Sequence, residues 1–228
     1  MRVLRRAHLA ALVVALLSGC AGGASAPRIV TPLPDPAAAL REMEDRTVLE
    51  QPTRIFFDWT LTEEGIRVRG RGVARVQPPD RARLDLFLSN GEAVAGAILI
   101  GDELTLPVSL PSDILPPPEL LWGTVGMIRL GSTTEVVQGG ELEDGATLLQ
   151  TRLPTQEGVL YRVRDGQVRM IEQTTGDGTV VKRLAAAYDG AAIPAEAVYR
   201  DLTAFRELTL TRDRVEHVEG FAPHIWRF

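Results

Sequence analysis

From Ile66 to Val76 the chain alternates: Ile66, Val68, Gly70, Gly72, Ala74 and Val76 are interleaved with Arg67, Arg69, Arg71 and Arg75. A period of two sets one small apolar face against one charged face, which is the pattern of a half-buried strand. Pro78-Pro79-Asp80 interrupts it, and Arg81–Ser89 resumes it with Ala82, Leu84, Leu86 and Leu88 opposite Arg83 and Asp85. Asn90-Gly91 is a strong hairpin signal, because both residue types tolerate positive φ. The following run, Glu92–Ile100, is apolar at both parities and predicts a strand covered on both sides. Gly101-Asp102 then turns into Leu104-Thr105-Leu106. An earlier strand is expected over Arg54–Leu61, around Ile55-Phe56-Phe57-Asp58-Trp59.

The second half of the chain has the same periodicity with different punctuation. Asp165-Gly166, Asp177-Gly178 and Asp189-Gly190 recur every twelve residues, after an earlier Asp144-Gly145. Between them lie Thr147–Leu153, Val159–Arg164, Gln167–Thr174 and Thr179–Tyr188, and Phe205–Arg212 is the last clear strand. Aspartate-glycine pairs at this interval mark consecutive antiparallel hairpins. No side-chain repeat accompanies the spacing, so it predicts a meander and not a propeller or solenoid. The tail from His217 to Phe228 is aromatic enough to dock on the domain.

Two stretches read as helices. Asp35-Pro36 has the form of an N-cap followed by proline at the first helical position, predicting a short helix over Ala37–Asp45. Pro107–Pro118 holds five prolines and cannot be a regular strand. Glu119–Leu130 follows, with Leu120, Leu121, Trp122, Val125, Met127 and Ile128 at amphipathic spacing, although Gly123 and Gly126 weaken a helix there. About ten strands with two short helices imply a mainly β domain. Its antiparallel sheet is expected to curve strongly, with helix on the concave side.

The N-terminus differs from all of this. Arg2, Arg5 and Arg6 precede nine unbroken apolar residues, Leu9–Leu17. That run is far short of the ~20 residues a membrane-spanning helix needs, and its flanks are those of an export signal. Leu16-Leu17-Ser18-Gly19-Cys20 resembles a bacterial lipobox. The resemblance implies cleavage after Gly19 and diacylglycerol and acyl modification of Cys20, the chain's one cysteine. Residues 1–19 are then the signal and 20–36, rich in Gly, Ala, Ser and Pro, an extended tether. Residues 37–228 form the domain.

Charge narrows the partners. The whole chain carries −5, and removing a signal with three arginines and no acid leaves 209 residues at −8. Such a balance argues against nucleic acid. With Cys20 lipidated no thiol remains, so the fold depends on packing and backbone pairing. His217 and His224, seven residues apart, lack the spacing of a zinc pair. Glu141, Glu143 and Asp144 match no calcium loop and read as a solvated turn. Gly-x-Ser-x-Gly, phosphate-binding and dinucleotide-binding motifs are absent, so no catalytic residue, metal or cofactor is expected. Arg67, Arg69 and Arg71 form a row suited either to lipid phosphates or to a solvated sheet face with neighbouring acids.

The order of short motifs resembles the LolA/LolB-like family of lipoprotein carriers. It is carried by Gly72-Val73-Ala74-Arg75-Val76, Pro79–Leu86, Ile100-Gly101-Asp102-Glu103-Leu104, Leu120-Leu121-Trp122-Gly123, Ile193-Pro194 and Leu208-Thr209-Leu210. The match runs from about Ala37 to Glu219. The resemblance implies an open, incomplete β-barrel of about eleven strands whose helices lid a cavity for acyl chains. It also implies a lipid or acylated lipoprotein as ligand, a lipid-anchored place on the periplasmic side of the outer membrane, and a periplasmic or outer-membrane protein as a further partner. One departure stands out: the family's membrane-anchored carriers expose an apolar side chain on a loop where this chain has Ser89-Asn90-Gly91-Glu92. The residues expected to face the concave side are Val68, Leu84, Leu86, Leu88, Val94, Ile98, Ile100, Leu104 and Leu106, with Leu121 and Trp122 from the helix. Whether they line a cavity or fill a core is left open by the pattern. A docking surface for protein assembly is the alternative use of the same fold.

Overall fold

The computed structural model describes residues 28–108 and 114–228; the signal, Cys20 and the tether up to Pro27 lie outside them. One antiparallel sheet holds thirteen strands in the order β1-β7-β8-β9-β10-β11-β12-β13-β2-β3-β4-β5-β6. The N-terminal part comprises β1 (Ile29–Pro32), α1 (Pro36–Thr47), β2 (Thr53–Glu63), β3 (Ile66–Gln77), β4 (Arg81–Leu88), β5 (Ala93–Ile100) and β6 (Glu103–Thr105). After α2 (Pro118–Gly123) come β7 (Glu135–Leu142), β8 (Thr147–Arg152), β9 (Gly158–Arg164), β10 (Gln167–Thr174), β11 (Val180–Ala187), β12 (Glu196–Asp201) and β13 (Arg206–His217). The meanders β2–β6 and β7–β13 meet where β13 pairs with β2, from Arg206 opposite Glu63 to His217 opposite Thr53. β1 and β6 form the two edges, each paired on one side only and not with each other, so the sheet curves without closing.

The glycines of β3 are explained by the aromatic residues of β2. Gly70 lies opposite Trp59 and Gly72 opposite Phe57. A Cβ on Gly72 would stand 2.2 Å from the Phe57 ring, and one on Gly70 would stand 2.0 Å from the Phe87 carbonyl oxygen. The missing side chains let both rings lie across β3, where the Trp59 indole N–H donates to the Arg71 and Phe87 carbonyls at 3.1 Å each. These rings, with Leu84, Leu86 and Leu99, belong to one buried cluster that continues through Tyr161, Ile171, Leu184, Tyr199 and Leu208 of the other meander. The core is therefore the inner face of a single sheet.

All ten strands legible in the pattern are present, and β1, β7 and β12 bring the sheet beyond the eleven that the resemblance implied. β1 corrects the tether boundary: Ile29–Pro32, expected to be extended linker, pairs with β7 at the sheet edge, where proline is tolerated. Asp35 does cap α1, its carboxylate accepting from the Ala38 N–H at 2.8 Å. At β9–β10, Asp165 and Gly166 both adopt positive φ, 54° and 72°, as a two-residue turn matched to strand twist requires. The Ser89–Glu92 turn is tight and polar, with the Asn90 side chain accepting from the Glu92 N–H at 3.0 Å. Elsewhere on that rim Ile66 and Phe205 are exposed, next to the β2–β3 and β12–β13 turns.

The outer side of β5 is covered by the tail, as its two-sided apolar pattern required. Asp85, 8% exposed, accepts from Arg75 at 2.6 Å and from Arg83 at 2.9 Å. The same Arg83 donates to the Ile225 and Arg227 carbonyls and lies 4.8 Å from the Phe228 ring centroid. Phe228 in turn sits over Gly96, where a Cβ would come within 3.1 Å of the ring. Removing the acid leaves two arginines facing each other in a nearly buried site. Asp85→Ala should therefore cost about 3–5 kcal/mol of stability in urea unfolding and expose the last residues to carboxypeptidase.

Candidate functional site

The inner face of the sheet is filled by the segment between the two meanders. Leu120, Leu121 and Trp122 of α2, and Val125, Met127 and Ile128 after it, are all at most 6% exposed. The amphipathic spacing located this segment correctly and overestimated its helix, which ends at Gly123 instead of Leu130. Gly126 explains the stop. It adopts φ +82°, its N–H bonds to the Gly123 carbonyl and the Met127 N–H to the Trp122 carbonyl, the paired pattern of a glycine-terminated helix. Gly123 has a different role: a Cβ there would lie 2.5 Å from both Ile171 and Leu184, so its absence lets α2 rest directly on β10 and β11.

Few polar bonds hold this plug. The Trp122 indole N–H donates to the Gly101 carbonyl at 2.9 Å. The Ile128 N–H donates to the Thr47 hydroxyl at 2.9 Å, and Glu44 of α1 accepts from the Leu130 N–H and from Arg129, each at 3.2 Å. Arg129 also donates to the Pro79 carbonyl. The plug is thus tied at its C-terminal end to α1, while its N-terminal turn meets the sheet through apolar side chains and the one Trp122–Gly101 bond.

Of the expected lining residues, Leu84, Leu86, Leu121 and Trp122 are buried in this core, and Val68, Leu88, Val94, Leu104 and Leu106 are half-buried against it. Ile98 and Ile100 require correction. Leu84 lies opposite Ala97 and Arg83 opposite Ile98, so Ala95, Ala97 and Leu99 are the inward residues of β5, and Ile98 and Ile100 occupy the outer face. An apolar run of uniform character hides this parity, and a one-residue shift exchanges the faces. Nor is the inner face an open chamber. The voids beside the plug measure about 20 Å³, between Phe57, Leu84, Val125 and Leu210, and about 10 Å³, between Ala97, Leu99 and Leu121. Each is near the size of one water, against the roughly 300–1,000 Å³ of a ligand pocket.

The wider depression, about 780 Å³, is on the outer face of β7–β11, where Leu148, Leu160 and Met170 lie among charged groups. Two pairs of those charges are matched internally, Arg183 with Glu172 at 2.6 Å and Arg162 with Asp144. Asp144, held below the ordinary carboxylate range by the Ala146 N–H and Arg162, serves its turn and that pair. Arg67, Arg69 and Arg71 are exposed on the outer face of β3, with Arg71 4.0 Å from Asp58. His217 meets the Thr53 hydroxyl at 3.3 Å, while His224 lies in the separate turn Pro223–Trp226. Among the described residues no group of three His, Cys, Asp or Glu side chains could hold a metal ion, and no helix is long and apolar enough to cross a membrane.

No family model and no curated protein matches the sequence. Solved structures do match in fold. A LolA superfamily protein from Nitrosomonas europaea aligns with a TM-score of 0.55 and 9% identity, over 84% of this chain and 97% of that one. A domain named for outer-membrane lipoprotein sorting, from Vibrio parahaemolyticus, aligns at 0.54 and 9%, over 82% and 93%. A DUF1329 family protein from Desulfovibrio piger aligns at 0.53 and 10%, over 85% and 98%. The chain has the LolA-like fold that its motif order implied.

Two outcomes follow for the plug. Gly123→Ala forces α2 off Ile171 and Leu184 and should cost about 1–3 kcal/mol, read as a lower midpoint in urea unfolding. Burial raises the Glu119 carboxyl above its ordinary value, and nearby Glu157 and Asp102 add to this. A raised acid binds its proton more tightly when folded, so its contribution is full at low pH and is lost as pH climbs from about 4.5 through the raised value. Glu119→Gln should make thermal stability at pH 7 higher than wild type, with the difference shrinking as pH falls to about 4.5 and below.

Proposed function

We propose that this chain is a non-enzymatic lipoprotein, anchored through Cys20 on the periplasmic side of the outer membrane, that binds acyl chains of a lipid or lipoprotein on the inner face of its sheet. The observation that carries the reading is the way that face is covered. Its cover is a short insertion of Leu, Trp, Val, Met and Ile side chains, tied to α1 at one end. Acyl chains present the same chemistry as those side chains, so exchanging one for the other keeps the face dry. The gain from burying a chain is about 25 cal/mol per Å² of apolar area, offset by the plug area exposed when it moves aside. Similar folds include a superfamily and a domain named for lipoprotein sorting, which supports the same direction.

A closed interior with voids near the size of a water also suits a second reading, an assembly lipoprotein that uses the fold as a docking surface and never opens. A reversible lock separates the two. The Ile171 Cγ1 atom lies 3.5 Å from where a Cβ of residue 123 would stand, within reach of an engineered bridge. In the chain bearing Cys20→Ala, with no acyl group of its own to compete, Gly123→Cys with Ile171→Cys, and Leu184→Ala to make room for the new Cβ, should take up a fluorescent acyl probe when reduced and lose uptake when oxidised. Failure of the unlocked Cys20→Ala protein to take up the probe would favour the docking reading.

A further inference from the structure

The face covered by the plug is largely apolar, and two of the buried polar atoms on it have no hydrogen-bond partner. Tyr161 is fully buried, and its hydroxyl makes no hydrogen bond. Gln173 is 5% exposed, and its side-chain carbonyl Oε1 makes none. The orientation of that amide is fixed by chemistry, because Nε2 donates to the Glu157 carboxylate at 3.0 Å, an acceptor that could not pair with Oε1. A buried acceptor and a buried hydroxyl are therefore both left over where pairing is the rule, a state shared by the Tyr188 hydroxyl and the Nε atoms of Arg129 and Arg169.

Their placement ties them to the plug. Tyr161 of β9 lies directly opposite Ile171 of β10, and Gln173 follows two residues later on the same face. Such diagonal neighbours are about 7–8 Å apart. Ile171 is the residue on which Gly123 of α2 rests. The Glu119 and Glu44 carboxylates both act electrostatically on the Tyr161 hydroxyl, which sets it where α1 and α2 meet the sheet. Neither of the voids beside the plug is lined by Tyr161 or Gln173.

We infer that Tyr161 and Gln173 form the polar recognition point of the acyl site, and that the ligand is an acyl chain joined through an amide. This rests on the acyl-binding reading above. A plain hydrocarbon would leave both groups unpaired after the plug moves. An ester offers an acceptor to the Tyr161 hydroxyl and nothing to Gln173. An amide offers both parts: its carbonyl accepts from Tyr161, and its N–H donates to Gln173 Oε1.

The test uses the full Cys20→Ala chain and three probes with the same pyrene-tagged saturated chain, ending in an N-methyl amide, a methyl ester or a plain alkyl end. The amide probe should bind about tenfold more tightly than the alkyl probe, one well-made hydrogen-bonding point, with the ester between them. Tyr161→Phe and Gln173→Met should each bring the amide-to-alkyl affinity ratio down to about one. Without ligand, Tyr161→Phe should not lower the thermal midpoint, since the hydroxyl it deletes has no partner. Equal binding of all three probes to the unsubstituted inner face, or a preference that survives both substitutions, would overturn the inference while acyl binding stands. So would a marked fall in the midpoint of Tyr161→Phe, which would mean that the hydroxyl is already paired in the closed form. Binding of none of the probes would defeat the acyl reading and this inference together.

Discussion

A single sheet with one apolar face has to cover that face with something, and among the described residues no second sheet exists to do it. Curvature solves part of the problem, since β2–β5 turn toward β9–β13 and share one core. The remaining gap is filled by α1 and by the thirteen positions from Pro118 to Leu130. Burying each of the large plug side chains contributes roughly 1.5–3 kcal/mol, which makes the plug a substantial part of the core. The covering has to be close: Gly123 permits contact with β10 and β11, and Gly126 turns the chain before it would run past α1. The same constraint gives the fold its possible function, because a cover that is not part of the sheet can leave without unpairing a strand.

Much of the architecture was legible because it follows from short-range rules. The alternation at Ile66–Val76, the hairpin pairs Asn90-Gly91 and Asp165-Gly166, and the Asp35-Pro36 helix start all fall within two residues of the structural elements. β7 was missed because Gly139 and Gly140 interrupt its pattern, and their role depends on remote partners. A Cβ at Gly140 would lie 2.1 Å from Ile29 of β1, and one at Gly139 would meet Leu149. β12 is six residues long and starts only at Glu196, a loop away from the Asp189-Gly190 pair that precedes it. β1 carries a proline and too little apolar area to register as a strand until its neighbour is known.

The candidate site was legible in outline only. Leu84, Leu86, Leu121 and Trp122 were placed on the inner face by periodicity and by the motif resemblance, while Ile98 and Ile100 were misplaced because apolar residues stand at both parities of β5. The closed state of the interior depends on how Leu120–Ile128 packs, which no pattern along the chain records. Tyr161 and Gln173 illustrate the limit most sharply. Alternation marks one as an inward residue and the other as a polar position, whereas their lack of partners emerges only when every neighbour is in place. Cys20, the residue on which the proposed anchoring rests, lies outside the described residues.

The central claim is that the plug separates from the sheet as a unit, at lower cost than unfolding. Amide hydrogen exchange followed by mass spectrometry tests it most directly, comparing peptides spanning Leu120–Leu130 with those of β2, β9 and β13 as denaturant is raised from zero. If the plug opens locally, its amides exchange at a free energy well below that of the central strands and with little dependence on denaturant. If the plug exchanges only together with β2 and β13, with the full denaturant dependence of global unfolding, it is an inseparable part of the core. The acyl-binding account would then be wrong.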